Sequence, residues 1–226
     1  MKKAVIKQIG LVLLVAFSLF LRLYKISSLP PSLNWDEVSH GFNAFSVLET
    51  GKDEWGQSFP LIFRAYGDYK LPLYIYLTSL SIKFFGLNIF SVRLVSALAG
   101  TGLVLVSYLI ALKITKSKSL SFFAAFLTAV SPWSLFVSRA GLEANLAAFL
   151  FALGVYFLIN FLDKSDYKKL SYTAFFWGLS VYAYNSARVL VPLFVLFCLL
   201  LFIKTKVSFR HIKLGLIVLS IFLFFN

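Results

Sequence analysis

The chain is 226 residues long, 60% hydrophobic, 18% aromatic and 14% charged, whereas a soluble domain carries nearer ~25% charged residues. That balance excludes a water-soluble globule and points to an all-α, polytopic membrane protein. The formal net charge of +13 does not signal nucleic acid, because Lys and Arg sit in short loops between apolar runs, the pattern that records membrane orientation. The single cysteine, Cys198, lies inside an apolar run and reads as a small buried hydrophobe, so no internal disulfide is open to the chain.

Lys2, Lys3 and Lys7 precede an apolar run from Ile9 to Leu23. The charge order is that of a signal peptide, but no small-x-small cleavage site follows, so this run is expected to stay as a first span near residues 8–24. Next comes Leu33-Asn34-Trp35-Asp36-Glu37-Val38-Ser39-His40, an acidic pair in the loop after that span. Phe42, Phe45 and Leu48 then recur at helical spacing up to Gly51, a natural C-terminal stop, which predicts a short surface helix over about 38–50. Residues 52–69 are loop punctuated by Gly and Pro. Pro72 suits the first turn of a second helix over about 71–85.

Whether that second helix crosses the membrane decides which side every later loop faces. If it crossed, Lys113, Lys116 and Lys118 would lie outside together with Lys164, Lys168 and Lys169, against the positive-inside rule. Its roughly 15 residues reach only ~22 Å, short of a ~30 Å hydrocarbon core, and Thr78, Ser79, Ser81 and Lys83 interrupt it as in an interfacial helix. Laid along the outer surface, it puts those loops in the cytoplasm with Lys2, Lys3, Lys7, Lys204, Lys206, Arg210 and Lys213. Seven of the nine acids then fall outside: Asp36, Glu37, Glu49, Asp53, Glu54, Asp68 and Glu143. The remaining spans are expected at about 92–112, 119–137, 143–162, 169–187 and 189–203. A partial one at about 212–226 is too short to cross, which is expected of the amino-terminal part of a longer protein.

Several residues can carry chemistry at the outer edge. Asp36 and Glu37 are either solvated loop acids or a catalytic pair. Lys70 is either an interfacial anchor or a point charge for a phosphate, with Asp68 placed to orient it. In the turn Ser138-Arg139-Ala140-Gly141-Leu142-Glu143, Arg139 and Glu143 either pair with each other at i, i+4 or join the same mouth. Tyr182, Tyr184 and Arg188 mark another outer turn. His40 and His211 are the only histidines, and with no second His or Cys at ligand spacing a zinc site has little support. Convergent acids and bases at one membrane edge are a functional site by default. The rival class is a transporter or a lipid- or glycan-binding protein without catalysis, which would place its charges near the bilayer midplane.

These motifs, in this order, resemble the membrane glycosyltransferases of the GT-C fold, in the bacterial branch related to protein O-mannosyltransferases and lipid A aminoarabinose transferases. The matching pieces are Asp36-Glu37 after the first span, Lys70-Leu71-Pro72-Leu73, the segment from Ser91 to Gly100, Ser131-Pro132, and the turn from Ser138 to Glu143. Leu71 stands where the family commonly has proline, and Glu143 where it usually has aspartate. The resemblance implies a multi-pass protein of the bacterial plasma (inner) membrane with its amino terminus in the cytoplasm. It also implies a polyprenyl-phosphate sugar donor and an acceptor lipid, glycan or protein on the outer face, in a protein whose site is completed by a further carboxyl-terminal part; the fragment alone is expected to be inactive. On this scheme Asp36 is the base that takes the acceptor proton, and Glu37 and Glu143 are further catalytic carboxylates. Lys70, Arg139 and Arg188 hold the donor phosphate, while Asp68, Tyr182, Tyr184 and His40 position substrate. The leaving phosphate is already ionised, so neither a general acid nor a metal is demanded.

Overall fold

The computed structural model describes residues 2–204; the partial span expected at 212–226 lies outside them. Helix α1 (Lys2–Leu23) leads through a loop to α2 (Trp35–Thr50), a short hairpin of β1 (Phe63–Ala65) and β2 (Asp68–Lys70), and α3 (Pro72–Phe85). Then come α4 (Ile89–Thr115), α5 (Lys118–Val130), α6 (Pro132–Arg139), α7 (Glu143–Lys164), α8 (Tyr167–Val181) and α9 (Ala187–Lys204).

Local chemistry sets the ends of these helices. Asn34 caps α2 by accepting from the Glu37 amide, and Glu37 reaches back to the Asn34 amide, a reciprocal capping box. The helix therefore starts at Trp35, three residues before the expected 38, and draws Asp36 and Glu37 into its first turn. Gly51 closes it with φ 70°, a left-handed conformation that glycine adopts without penalty. Pro72 opens α3, as its fixed φ and missing N–H favour. Asn88 caps α4 through the Ser91 amide.

Helices α4 and Glu143–Asp163 of α7 are long and apolar enough to cross a membrane, and α5 with α6 makes a third candidate if the pair is one bent span. The two meet at 53°. The break falls at Ser131-Pro132, where proline has no amide to continue the α5 ladder. Arg22, fully buried at the end of α1, bridges it by donating to the Ala129 carbonyl and to the Ser134 hydroxyl at 2.9 Å. Ile9–Leu23 and Ala187–Leu200 are apolar but shorter. Together with the extensive exposed apolar surface, these helices make the chain an integral membrane protein.

Helix α3 does not run alongside α4. Near its start, the Tyr74 hydroxyl donates to the Val92 carbonyl at 2.8 Å; at its end, the Gly86 carbonyl accepts from the Ser91 hydroxyl at 2.6 Å. Both ends are thus tied to the first turn of α4, and α3 lies across that end. It packs on α2 and β1 through Ala44, Val47, Phe63, Ile75 and Ile82.

Beneath it, α4 and α7 share Ala99, Leu146, Ala147 and Leu150 with Tyr74 and Ala183. Leu158, Trp177, Val191 and Leu199 join α7, α8 and α9. Close approach there depends on Gly154, where any Cβ would collide with the Trp177 indole. Charge separates along α4: Arg93 and its acidic partner lie at one end, and Lys113, paired with Asp163 at 3.1 Å, at the other. The helical rise between Arg93 and Lys113 is ~30 Å, the thickness of a hydrocarbon core.

Candidate active site

Asp36 and Glu37 are neighbours in sequence but face different surroundings. Glu37 is 1% exposed and meets the fully buried Arg93 of α4 through Nε at 2.6 Å and Nη2 at 3.3 Å. The other Arg93 donors reach the carbonyls of Ile26 and Pro30 at 2.8 and 2.9 Å and of Ser32 at 3.0 Å. A guanidinium has five N–H groups, and every one is used. Arg93 therefore clamps the α1–α2 loop to the first turn of α2, which is what fixes where Asp36 points.

Gly141 completes the clamp from the other side. With φ +60°, it brings the α6–α7 turn so close that a Cβ there would lie 2.9 Å from Glu37 Oε1.

Asp36 looks the other way, onto Lys70 at the end of β2. Cross-strand pairing of Phe63 with Lys70 and of Arg64 with Tyr69 turns Lys70 inward and Tyr69 outward. The Lys70 ammonium lies 2.8 Å from Asp36, 3.2 Å from Asp68 and 3.7 Å from Glu143. Burial opposes its charge, but the hydrogen bonds to Asp36 and Asp68 and the Glu143 carboxylate outweigh burial and hold it above the ordinary lysine value. Asp68 is held below the usual carboxylate range by the Tyr69 amide and by Lys70.

Behind Glu143 lies His40, fully buried, with Nε2 3.5 Å from Glu143 Oε2 and its ring 4.9 Å from that of Tyr74. Burial pushes the imidazole down to about 4, with Lys70 adding to the shift and Asp36 opposing it, so His40 is neutral at pH 7. Neither ring nitrogen has a hydrogen-bond partner among the described residues. Among those residues no three His, Cys, Asp or Glu side chains are grouped as a metal site; the centre of this acidic cluster is filled by the lysine.

The remaining expected site residues divide. The turn carrying Tyr182 and Tyr184 docks beside Lys70: the Tyr182 carbonyl accepts from the Leu73 amide at 3.1 Å, and Asn185 donates to the Tyr69 carbonyl at 3.1 Å. Tyr184 also lines a cavity of about 650 Å³ with Asn145, Ser131, Ser134 and Trp133. Arg139 does not pair with Glu143. It donates instead to the carbonyls of Leu21, Tyr24 and Leu29, closing the end of α1. Arg188 is not in contact with Lys70's carboxylates, and its Nε is buried without a partner among the described residues.

Arg93 was present in the sequence only as part of the Ser91–Gly100 motif; an arginine inside an apolar run was the signal that it had a fixed partner.

Residues 70–225 match the family described as dolichyl-phosphate-mannose-protein mannosyltransferase. The chain belongs to this family. No curated protein matches the chain. As a member of the mannosyltransferase family, it is a membrane glycosyltransferase of the GT-C type using a polyprenyl-phosphate sugar. The match opens on Lys70, so in this mannosyltransferase-family protein the lysine lies within the matched region while Asp36, Glu37 and His40 precede it. The fold is what carries Asp36 to the lysine and His40 to Glu143 beside it, while Glu37 turns to Arg93.

Proposed function

We propose that this protein transfers a sugar from a membrane-embedded polyprenyl-phosphate donor to a hydroxyl acceptor (lipid, glycan or protein) on the outer face of a bacterial plasma membrane, with inversion at the anomeric carbon. The observation that carries this reading is the 2.8 Å contact between Asp36 and Lys70 at the end of α4 opposite its lysines. One carboxylate able to take a proton and one ammonium able to hold a phosphate stand within a single substrate's reach. The amino terminus is cytoplasmic on this topology, and α2 and α3 are the outer surface helices.

The acceptor hydroxyl is a poor nucleophile until its proton is removed as the new bond forms, and Asp36 is the base. The acceptor oxygen bonds to the anomeric carbon as the bond from that carbon to the phosphate oxygen breaks. The electron pair goes to the phosphate and the proton to Asp36. Lys70 holds the charge that grows on the leaving phosphate. Attack opposite to departure inverts the anomeric centre.

Glu37 does not touch substrate on this reading; paired with Arg93, it sets the position of Asp36. Glu143 and Asp68 position Lys70, and His40 supports Glu143 as a neutral partner. Tyr182 and Tyr184 border the acceptor side, and Arg188 is the second group offered to the phosphate. Arg139 shapes the α1–α2 loop.

The test is transfer from a labelled polyprenyl-phosphate sugar in membranes from cells expressing the full-length protein. Lys70→Ala is expected to raise KM for the donor at least tenfold, and the product anomer is expected to be opposite to that of the donor. Retention of configuration, or an unchanged donor KM in Lys70→Ala, would overturn the assignment.

A further inference from the structure

Three carboxylates surround the Lys70 ammonium: Asp36 and Asp68 at 2.8 and 3.2 Å, within hydrogen-bond distance, and Glu143 at 3.7 Å, as an ion-pair partner. The Lys70 side chain is only 10% exposed. Enclosed in this way, the ammonium is reached by a phosphate only if a carboxylate gives way. The same contact occupies Asp36, because a carboxylate oxygen facing an ammonium at 2.8 Å is not open to an acceptor hydroxyl. The resting geometry thus ties up the proton acceptor and the phosphate holder on each other.

We infer that Lys70 is a latch on Asp36: the donor phosphate takes the ammonium, and only this exchange frees Asp36 to act as the base. This deepens the function proposed above and rests on it. Asp36 is the carboxylate that yields, because the other two are held by more than Lys70. Asp68 also accepts from the Tyr69 amide at 2.7 Å, and Glu143 is buried against His40. Asp36 has no other hydrogen-bond or ion-pair partner among the described residues and is 32% exposed. Once released, it remains in the first turn of α2, where the helix N-terminus favours its negative charge. One anion replaces another on Lys70, and the carboxylate set free is exposed enough for water to solvate its charge. The consequence is order: an acceptor that arrives before the donor meets a masked base, so transfer proceeds with donor first.

The test separates competition from support. If Asp36 merely steadied Lys70, removing its charge would weaken phosphate binding; if it competes for Lys70, removal tightens it. The full-length protein in detergent is titrated calorimetrically with farnesyl phosphate, a short polyprenyl monophosphate. Asp36→Asn is expected to bind about tenfold tighter than wild type, since charge-assisted contacts are among the stronger hydrogen bonds, although it does not turn over. Glu143→Gln, whose carboxylate is at the longer distance, is expected to tighten binding about threefold by the same logic of competition. Asp36→Ser removes the carboxylate while keeping a small polar side chain in the first turn; it must reproduce the tightening and serves if Asp36→Asn does not fold. Wild-type binding with equal or weaker affinity in the Asp36 variants overturns the latch and leaves the phosphate site standing. No binding by wild type, or full binding by Lys70→Ala, overturns the phosphate reading itself.

Discussion

The Glu37–Arg93 pair is buried, and charge removal on one side alone should be costly. Glu37→Gln keeps the length and polarity of the side chain, and glutamine can still serve the capping box with Asn34, so the substitution isolates the charge. Arg93 is 0% exposed and would be left without a counter-charge. Breaking a buried pair by removing one partner costs about 3–5 kcal/mol. For a chain of this size each kcal/mol moves the unfolding midpoint by about 2–4 °C, so a fall of roughly 10 °C is expected in intrinsic tryptophan fluorescence on heating the purified protein. Replacing both partners, Glu37→Met with Arg93→Met, removes both charges and is expected to recover most of the loss. Glu37→Gln should also lose transfer by about 100-fold, because a small misplacement of the base is enough to do so. A midpoint within about 2 °C of wild type, or a double variant whose loss is the sum of the single losses, would refute the clamp.

Three further outcomes follow from the same geometry. His40 has a folded value of about 4 against an ordinary 6.5, so the unfolded chain binds the extra proton first as pH falls. Stability is then expected to decline from pH 6.5 toward 4, by about 3 kcal/mol at most, and His40→Leu should flatten that decline in unfolding midpoints measured against pH. Gly141→Ala forces a strained left-handed backbone and pushes on Glu37; a destabilisation of about 1–3 kcal/mol is expected, with loss of transfer, and full activity at the wild-type midpoint would contradict it. Gly154→Ala sets a methyl against Trp177, far from the site. It should lower the midpoint, by overpacking worth about 1–3 kcal/mol, while leaving donor KM unchanged.

Much of this arrangement could be read from residue order. Charge segregation put the Asp36 loop, Lys70 and Glu143 at one end of the bundle, and the short, hydroxyl-bearing stretch after Pro72 was legible as a helix too short to cross. Gly51 and Pro72 marked helix ends because their backbone preferences are local. The start of α2 is also local, since Asn34 with Glu37 three residues on is a capping box, and its acidic pair has the composition of a loop as much as of a first helical turn.

What order could not supply was partner choice among long, flexible side chains. Arg139 could meet Glu143 one helical turn away or carbonyls over a hundred residues away, and only packing of the α6–α7 turn against α1 decides for the carbonyls. The same holds for Glu37, whose partner Arg93 lies 56 residues on. The 53° break at Ser131-Pro132 had its proline in view, but not that Arg22 of α1 would bridge its two sides.

The central claim is that Asp36 removes the acceptor proton. Its most direct test is the single-turnover rate of sugar transfer, with donor and acceptor saturating, in the full-length protein carrying Asp36→Asn. A fall of at least 100-fold is expected, as for loss of a general base, with farnesyl phosphate still bound. A rate within a few-fold of wild type would contradict the account.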